Sequence, residues 1–265
     1  MSDAARGTTG TTGTIATSAA SAEPSPAPLP ALSPDAFVER LRTEAAQRYH
    51  DQHHFHVAMH RGTLTREQLQ AWTRNRFYYQ TRIPIKDALI LAKSEDPAFR
   101  RAWIRRIHDH DGHEPGEGGI ELWLRLADGV GLDRGAVERC EGVLPGVRFA
   151  CDAYVELVRE RSLLEAVASS LTELVAPELM SKRIVAWEQH YPWVRSDVLA
   201  YFRTRVPRAR TDSQEALAFV TQHATTRELQ ERCVAALVRK TEILWHLLDC
   251  VAAAHGPARP EPSGA

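Results

Sequence analysis

The sequence predicts an all-α protein, one helical bundle over about residues 32–255, and three observations carry that prediction. Apolar residues recur at helical period in almost every segment, helix-start signals repeat along the chain, and the alternation expected of strands is nearly absent. With 265 residues and 43% apolar positions, the chain has material for one sizeable core and little reason to divide.

The elements follow in order. Ser33-Pro34 opens a helix over 34–49, because serine offers an oxygen to free N–H groups and proline lacks an N–H where none is needed. Thr65 with Gln68 forms a capping-box pattern before a helix over 66–93, bent at Pro84 where the ring meets the preceding turn. Asp96-Pro97 opens a helix over 97–110, and periodicity alone gives 118–128 and 146–161. Ser162 with Glu165 opens 163–190, interrupted at Pro177. Helices over 197–206 and 213–223, the second opened by Asp212 with Glu215, precede a last one over 227–255 opened by Thr225 with Glu228. Residues 1–31 and 256–265 hold few bulky side chains and read as disordered tails, unable to offset the entropy of ordering.

Composition excludes several classes of function. A net charge of −1 gives no overall field toward nucleic acid or an anionic membrane, so any preference for anions is local. Cys140, Cys151, Cys233 and Cys250 form no C-x-x-C pair, which fits reduced, mostly buried thiols and argues against structural zinc. No apolar run approaches the roughly 20 residues that span a bilayer, and no apolar signal core stands near the start. A cytoplasmic location is the expectation.

Turning each helix at about 100° per residue places charges inside apolar stripes. Lys240 falls among Cys233, Ala236, Leu237, Ile243, Leu244 and Val251. Arg76, Tyr79 and Gln80 share the face of Leu69, Trp72 and Ile83, while His110 lies between Phe99, Trp103 and Ile107 with Arg106 at its flank. Arg205 and Tyr201 accompany Val198 and Phe202, Arg183 accompanies Leu179 and Trp187, and Glu173 accompanies Ala166, Ser169 and Ser170. A single long side chain in such a place usually reaches out to solvent. Five cations on separate helices against one carboxylate, Glu173, predict instead an internal site for an anion. Arginine forks favour carboxylates, so a ligand with two or three of them is the natural match, with phosphate left open.

The clusters YHDQHHFHVAMH (His50, His53, His54, His56, His60) and HDHDGH (His108, His110, His113) are not metal motifs in themselves. Glu-x-x-His pairs are missing, which disfavours a di-iron centre, and the expectation is no metal. His110 is the leading acid-base candidate, since arginines lower the proton affinity of a neutral imidazole, and His50 is second. Cys233 and Cys250 read as core filler, and no G-x-S-x-G is present.

The strings RYHDQHHFHVAMH, NRFYYQTRIPIKDA, RIHDHDG, GGIELWLRL, LPGVRFACDAY, SSLTELVAP, EQHYPWV and YFRTR stand in one order along the chain. Together they resemble the pyrroloquinoline-quinone synthase family from about Leu32 to His255. That resemblance implies a heme-oxygenase-like bundle of about seven main helices and usually a homodimer. It implies an oxidase without cofactor that closes a ring and oxidises a tricarboxylated quinone precursor with O2, releasing H2O2. By motif match it assigns His110, Tyr201, Arg205, Glu173 and His50 to catalysis, the first three beside oxygen. It assigns Arg76, Tyr79, Gln80, Arg106, Tyr154, Thr172, Arg183 and Lys240 to substrate binding. Met180 in APELMSKR departs from the family, which usually carries histidine there, and methionine cannot exchange a proton. HEPGEGG and VRSDVLAYF also diverge, so a paralogue acting on another quinone or aromatic acid stays open. So does a carrier of pyrroloquinoline quinone or its precursor. A thiaminase-II-like hydrolase is disfavoured by the cationic pocket.

Overall fold

The computed structural model describes residues 29–256, and most of both expected tails lies outside the described residues. The helices are α1 (Pro34–Arg48), α2 (His54–His60), α3 (Arg66–Ala92), α4 (Pro97–Asp111), α5 (Gly118–Gly129) and α6 (Arg134–Glu138), followed by α7 (Pro145–Glu160), α8 (Leu163–Ser169), α9 (Ala176–His190), α10 (Ala200–His223) and α11 (Arg227–His255). Three 3-10 turns, His50–Gln52, Ser170–Leu174 and Ser196–Leu199, join them, and no strand occurs among the described residues. Eight of the helices run for twelve residues or more, against the seven or so that the resemblance implies.

Most start signals act as the sequence predicts. Ser33 accepts from Ala36 N–H, Asp96 from Ala98 and Phe99, and Thr65 and Ser162 each complete a reciprocal capping box with Gln68 and Glu165. The cap of α11 is Thr226, accepting from Leu229, one residue later than predicted. Leu32 is tied to α11 by a pair of bonds, its N–H to Gln230 Oε1 at 2.8 Å and its carbonyl from Gln230 Nε2 at 3.0 Å.

Proline is where prediction and structure part. Pro177 does not interrupt a helix; it stands in the first turn of α9, and the break is the 3-10 turn before it. Pro207 lies inside α10, so 197–206 and 213–223 are not separate: one helix continues from Ala200 to His223. Proline removes one backbone bond there, while Tyr201, Phe202, Arg205, Ala209, Asp212 and Ala216 stay buried along one face and hold the helix through it. The short helices α2 and α6 were not predicted, being too brief to show a period.

Helix α3 packs between α7 and α4, α11 lies against α7, α8 and α1, and α10 covers α9 and the Ser170–Leu174 turn. Trp72, Trp123 and Trp187 meet at the centre, with ring centroids 5.5 Å (Trp72 to Trp123) and 6.0 Å (Trp72 to Trp187) apart. Such aromatic contacts fix the separation of α3, α5 and α9. The helices thereby face one another around a polar hollow.

Candidate active site

Six structural elements converge on one cavity of about 50 Å³. Helix α3 contributes Arg76, Tyr79, Gln80 and Ile83 to its wall; α4 contributes His110; the Ser170–Leu174 turn contributes Thr172 and Glu173. Ala176 and Met180 come from α9, Tyr201 and Arg205 from α10, Leu244 from α11, and Tyr49 from the junction after α1. Gly112, at φ 82, ends α4 two residues past His110, so the imidazole stands in the last turn.

Eight of the thirteen residues singled out from sequence line this cavity: Arg76, Tyr79, Gln80, His110, Thr172, Glu173, Tyr201 and Arg205. The other five stand behind the wall. Arg106 pairs with Glu173, Arg183 with His56, and His50 stacks on Tyr49 with ring centroids 4.3 Å apart. Tyr154 and Lys240 lie behind Tyr79.

The interior charges sort into two sets. In the first, Arg106 Nη1 donates to Glu173 Oε2 at 2.8 Å and Arg205 Nη2 lies 3.3 Å from Glu173 Oε1. Asp212 shares both arginines, at 3.7 Å from Arg106 Nε and 3.5 Å from Arg205 Nη2, and its carbonyl accepts from Arg106 Nη2. Lys86 pairs with Asp87 at 2.7 Å and donates to Ser170 Oγ at 3.1 Å, while Trp103 Nε1 donates to Asp87 Oδ1 at 2.9 Å. In the second set, Arg76, Arg183 and Lys240 have no carboxylate within ion-pair distance among the described residues. Arg76 stacks 3.7 Å from the Tyr79 ring centroid, Arg183 donates to His56 Nε2 at 3.3 Å, and Lys240 Nζ has no hydrogen-bond partner.

This corrects the single-carboxylate reading: Glu173 is joined inside by Asp212 and Asp87. Asp212 had been read as the cap of a separate helix, but α10 is continuous, so Asp212 follows Arg205 by two turns on the same face. That seven-residue spacing is a signal that could have found it. Lys86 and Asp87 were missed because the middle of α3 buries neighbouring residues in succession, Phe77, Tyr78, Tyr79 and Gln80 among them, so an inward charge does not stand out against a polar face. Tyr49 was missed as well, because it lies just beyond the last turn of α1.

Electrostatics follow from this geometry. Burial raises the Glu173 carboxyl, but Arg106 and Arg205 outweigh it and hold the group below its ordinary range. Asp212 shares the same two arginines: burial, then Glu173, push its carboxyl up to about 6. Burial, then Arg205, bring His110 down to about 3. His110 Nδ1 lies 3.0 Å from the Arg106 carbonyl, so the neutral ring donates there and keeps its Nε2 lone pair free. That makes His110 an acceptor throughout neutral pH and a weaker base than the sequence predicts. His50 and His56 are likewise lowered, by burial first and then by nearby arginines. Burial, then Arg76, bring Arg183 down to about 9. Tyr201 Oη donates to Gln80 Oε1 at 2.8 Å, and Arg205 Nη1 is buried without a partner. Among the described residues no group of three His, Cys, Asp or Glu side chains is arranged to hold a metal ion. Chemically, the wall can bind an anion, accept a proton, and stabilise negative charge on a small reduced species.

The helical scaffold is of the heme-oxygenase-like class. A domain of unknown function with a heme oxygenase-like fold from Shewanella denitrificans superposes with a TM-score of 0.68 at 13% identity, covering 87% of this chain and 99% of that one. A TenA homologue from P. horikoshii gives 0.65 at 13% identity, covering 83% and 99%. The chain belongs to the TENA/THI-4/PQQC family, whose model matches residues 39–250. It is 51% identical over 230 residues to the pyrroloquinoline-quinone synthase of Pseudomonas syringae pv. tomato, covering 87% of this chain and 91% of that protein. It is 52% identical over 224 residues to the protein of the same name from Xanthomonas campestris pv. campestris, covering 84% and 90%.

Proposed function

We propose that this chain is an oxidase of the pyrroloquinoline-quinone synthase type, performing the last ring closure and oxidation of a tricarboxylated quinone precursor. The observation that carries the reading is the second set: three buried or half-buried basic side chains, Arg76, Arg183 and Lys240, without a carboxylate of their own among the described residues. Three carboxylates on a ligand complete what the protein leaves unmatched. Relatives of that name at 51% and 52% identity support the same reading.

In this scheme Arg76, Arg183 and Lys240 bind carboxylates, with Tyr79, Gln80, Thr172 and Tyr154 shaping the slot. Arg106 acts through Glu173, holding it ionised as a proton acceptor. Each two-electron step transfers two electrons and two protons from the quinol-level ring to O2, giving H2O2 and the oxidised ring. An electron-rich ring supplies those electrons itself, so the scheme uses no metal and no organic cofactor. His110, Tyr201 and Arg205 face the reduced oxygen, His110 as acceptor and Arg205 as cation. His50, beneath Tyr49, acts as a neutral positioning group. The cavity holds about 50 Å³, well below the roughly 300 Å³ of an ordinary ligand pocket, so binding displaces part of the wall.

Met180 in the wall favours one variant of this reading, a paralogous oxidase acting on another quinone or aromatic acid. No helix is long and apolar enough to cross a membrane among the described residues, in keeping with the proposed cytoplasmic setting. A homodimer is part of the proposal and is tested by sedimentation. The reaction is tested by mixing protein and precursor without oxygen, then admitting air. Quinone absorbance and peroxide appearing together support the oxidase. Binding without oxygen uptake, unchanged in His110→Asn, identifies a carrier.

A further inference from the structure

Lys240 is fully buried, at 0% exposure, and among the described residues its Nζ meets no hydrogen-bond acceptor. It lies 3.2 Å from the centroid of the Tyr154 ring and 4.3 Å from that of Tyr79. The two rings are nearly parallel, 8° apart in plane and 6.4 Å between centroids, and Nζ sits between them. Its other neighbours add no negative charge that is not already paired. From α3 come Arg76, against the same Tyr79 ring, and Lys86, already paired with Asp87. From α7 comes the Cys151 thiol, which burial pushes up to about 12 and so leaves uncharged. The 3-10 turn offers Glu173, already shared by Arg106 and Arg205, and His50 approaches as a neutral ring.

We propose that Lys240 is an uncharged amine while the cavity is empty, and that a polycarboxylate binds together with one proton taken up by Lys240. The third positive charge of the site is then made only when an anion is there to balance it. The inference rests on reading the cavity as a polycarboxylate site. Two opposing effects decide the charge. π faces attract an ammonium, but one of the two rings is already engaged by Arg76, and removing an ammonium from water costs more than one such face returns. Burial, then Arg76, draw the Lys240 amine well below its ordinary range. A carboxylate arriving nearby reverses the balance, because Coulomb attraction in a dry interior is strong. The protonation is a simple transfer from buffer: RNH2 plus H+ gives RNH3+, with no redox change. An uncharged amine also relieves the repulsion between Lys240 and Arg76 in the empty protein, which lets basic side chains share one interior.

Two measurements test this. The first needs no ligand: lysine labelled with 13C at Cε is followed in the whole protein at pH 7. The Lys240 resonance, identified by its loss in Lys240→Met, is expected at the neutral-amine position, and an ammonium position overturns the proposal. Lys240→Met is close to isosteric and loses only an unpartnered polar atom, so it is expected to fold. The second is calorimetric titration with benzene-1,3,5-tricarboxylate and with pyrroloquinoline quinone, in buffers of different ionisation enthalpy. About one proton is expected to enter per ligand, with affinity falling up to about tenfold per pH unit above neutrality. Lys240→Arg is expected to abolish that uptake, which separates Lys240 from the buried histidines. Binding without proton uptake, or uptake unchanged in Lys240→Arg, overturns the proposal. If neither compound binds, the polycarboxylate reading fails, and the labelled-lysine experiment still decides the charge state.

Discussion

Arg106 Nη1 donates to Glu173 Oε2 across 2.8 Å, and Arg106 is buried while Glu173 forms part of the cavity wall. The pair anchors the 3-10 turn carrying Thr172 and Glu173 to α4, the helix that carries His110. Replacing Arg106 by Met leaves Glu173 and Asp212 facing each other with only Arg205 between them. The expected loss is about 3–5 kcal/mol in urea unfolding, the scale for removing one partner of a buried ion pair. Adding Glu173→Gln is expected to restore part of it, and strict additivity of the two changes argues against the coupling.

Arg183 is expected to behave in the opposite way. Without a carboxylate of its own, it contributes little to folding, and Arg183→Met leaves the unfolding midpoint unchanged or higher. Affinity for pyrroloquinoline quinone, measured by fluorescence titration, is expected to fall roughly 100-fold, the scale of one lost charged hydrogen-bond pair. Equal loss of stability in Arg183→Met and Arg106→Met would remove the distinction between the two charge sets.

Glu173→Gln keeps the shape of the wall and removes the proton acceptor. Turnover is expected to fall by about 10²- to 10⁴-fold with binding retained. A variant that loses binding and turnover in equal measure would make Glu173 a binding group.

Stability is expected to fall as pH drops below 6.5. His50, His56, His60 and His110 all have folded values below 6.5, with His60 at about 4 through burial and then Arg183. Below 6.5 the unfolded chain takes up protons that the folded one refuses, so each histidine removes up to about 1.4 kcal/mol per pH unit. Asp212 acts with the reverse sign: its folded value near 6 exceeds the ordinary 3.8, so between about 4 and 6 the folded state binds the extra proton. Asp212→Asn is therefore expected to steepen the acid loss, read from urea midpoints between pH 4 and 7. A profile flat from 7 to 5 would contradict the burial of neutral histidines.

Met180→His supplies the wall with a group that exchanges protons. With the natural precursor, the later oxidation phases are expected to accelerate in stopped-flow absorbance, with product affinity little changed. Slower oxidation would favour a different native substrate, to which methionine is suited.

Much of the bundle was legible because helix caps are local. Ser33, Thr65, Asp96 and Ser162 each satisfy N–H groups within three residues, so their effect does not depend on the rest of the chain. The prolines were less legible, since whether Pro207 breaks a helix depends on the burial of Tyr201, Arg205, Asp212 and Ala216 along one face. Lys240 was visible as a charge in an apolar stripe, but its two tyrosine neighbours come from α3 and α7, far away in sequence.

The amino-acid sequence by itself determined the helical class, the main boundaries and the presence of cations on inward faces. Periodicity and capping act over a few residues, and a stripe is a property of one helix. Only the tertiary structure decided which charges are matched. It gave Glu173 and Asp212 to Arg106 and Arg205, gave Asp87 to Lys86, and left Arg76, Arg183 and Lys240 without carboxylates among the described residues. Pairing is a matter of ångströms between helices distant in the chain, and no pattern within one helix sets that distance.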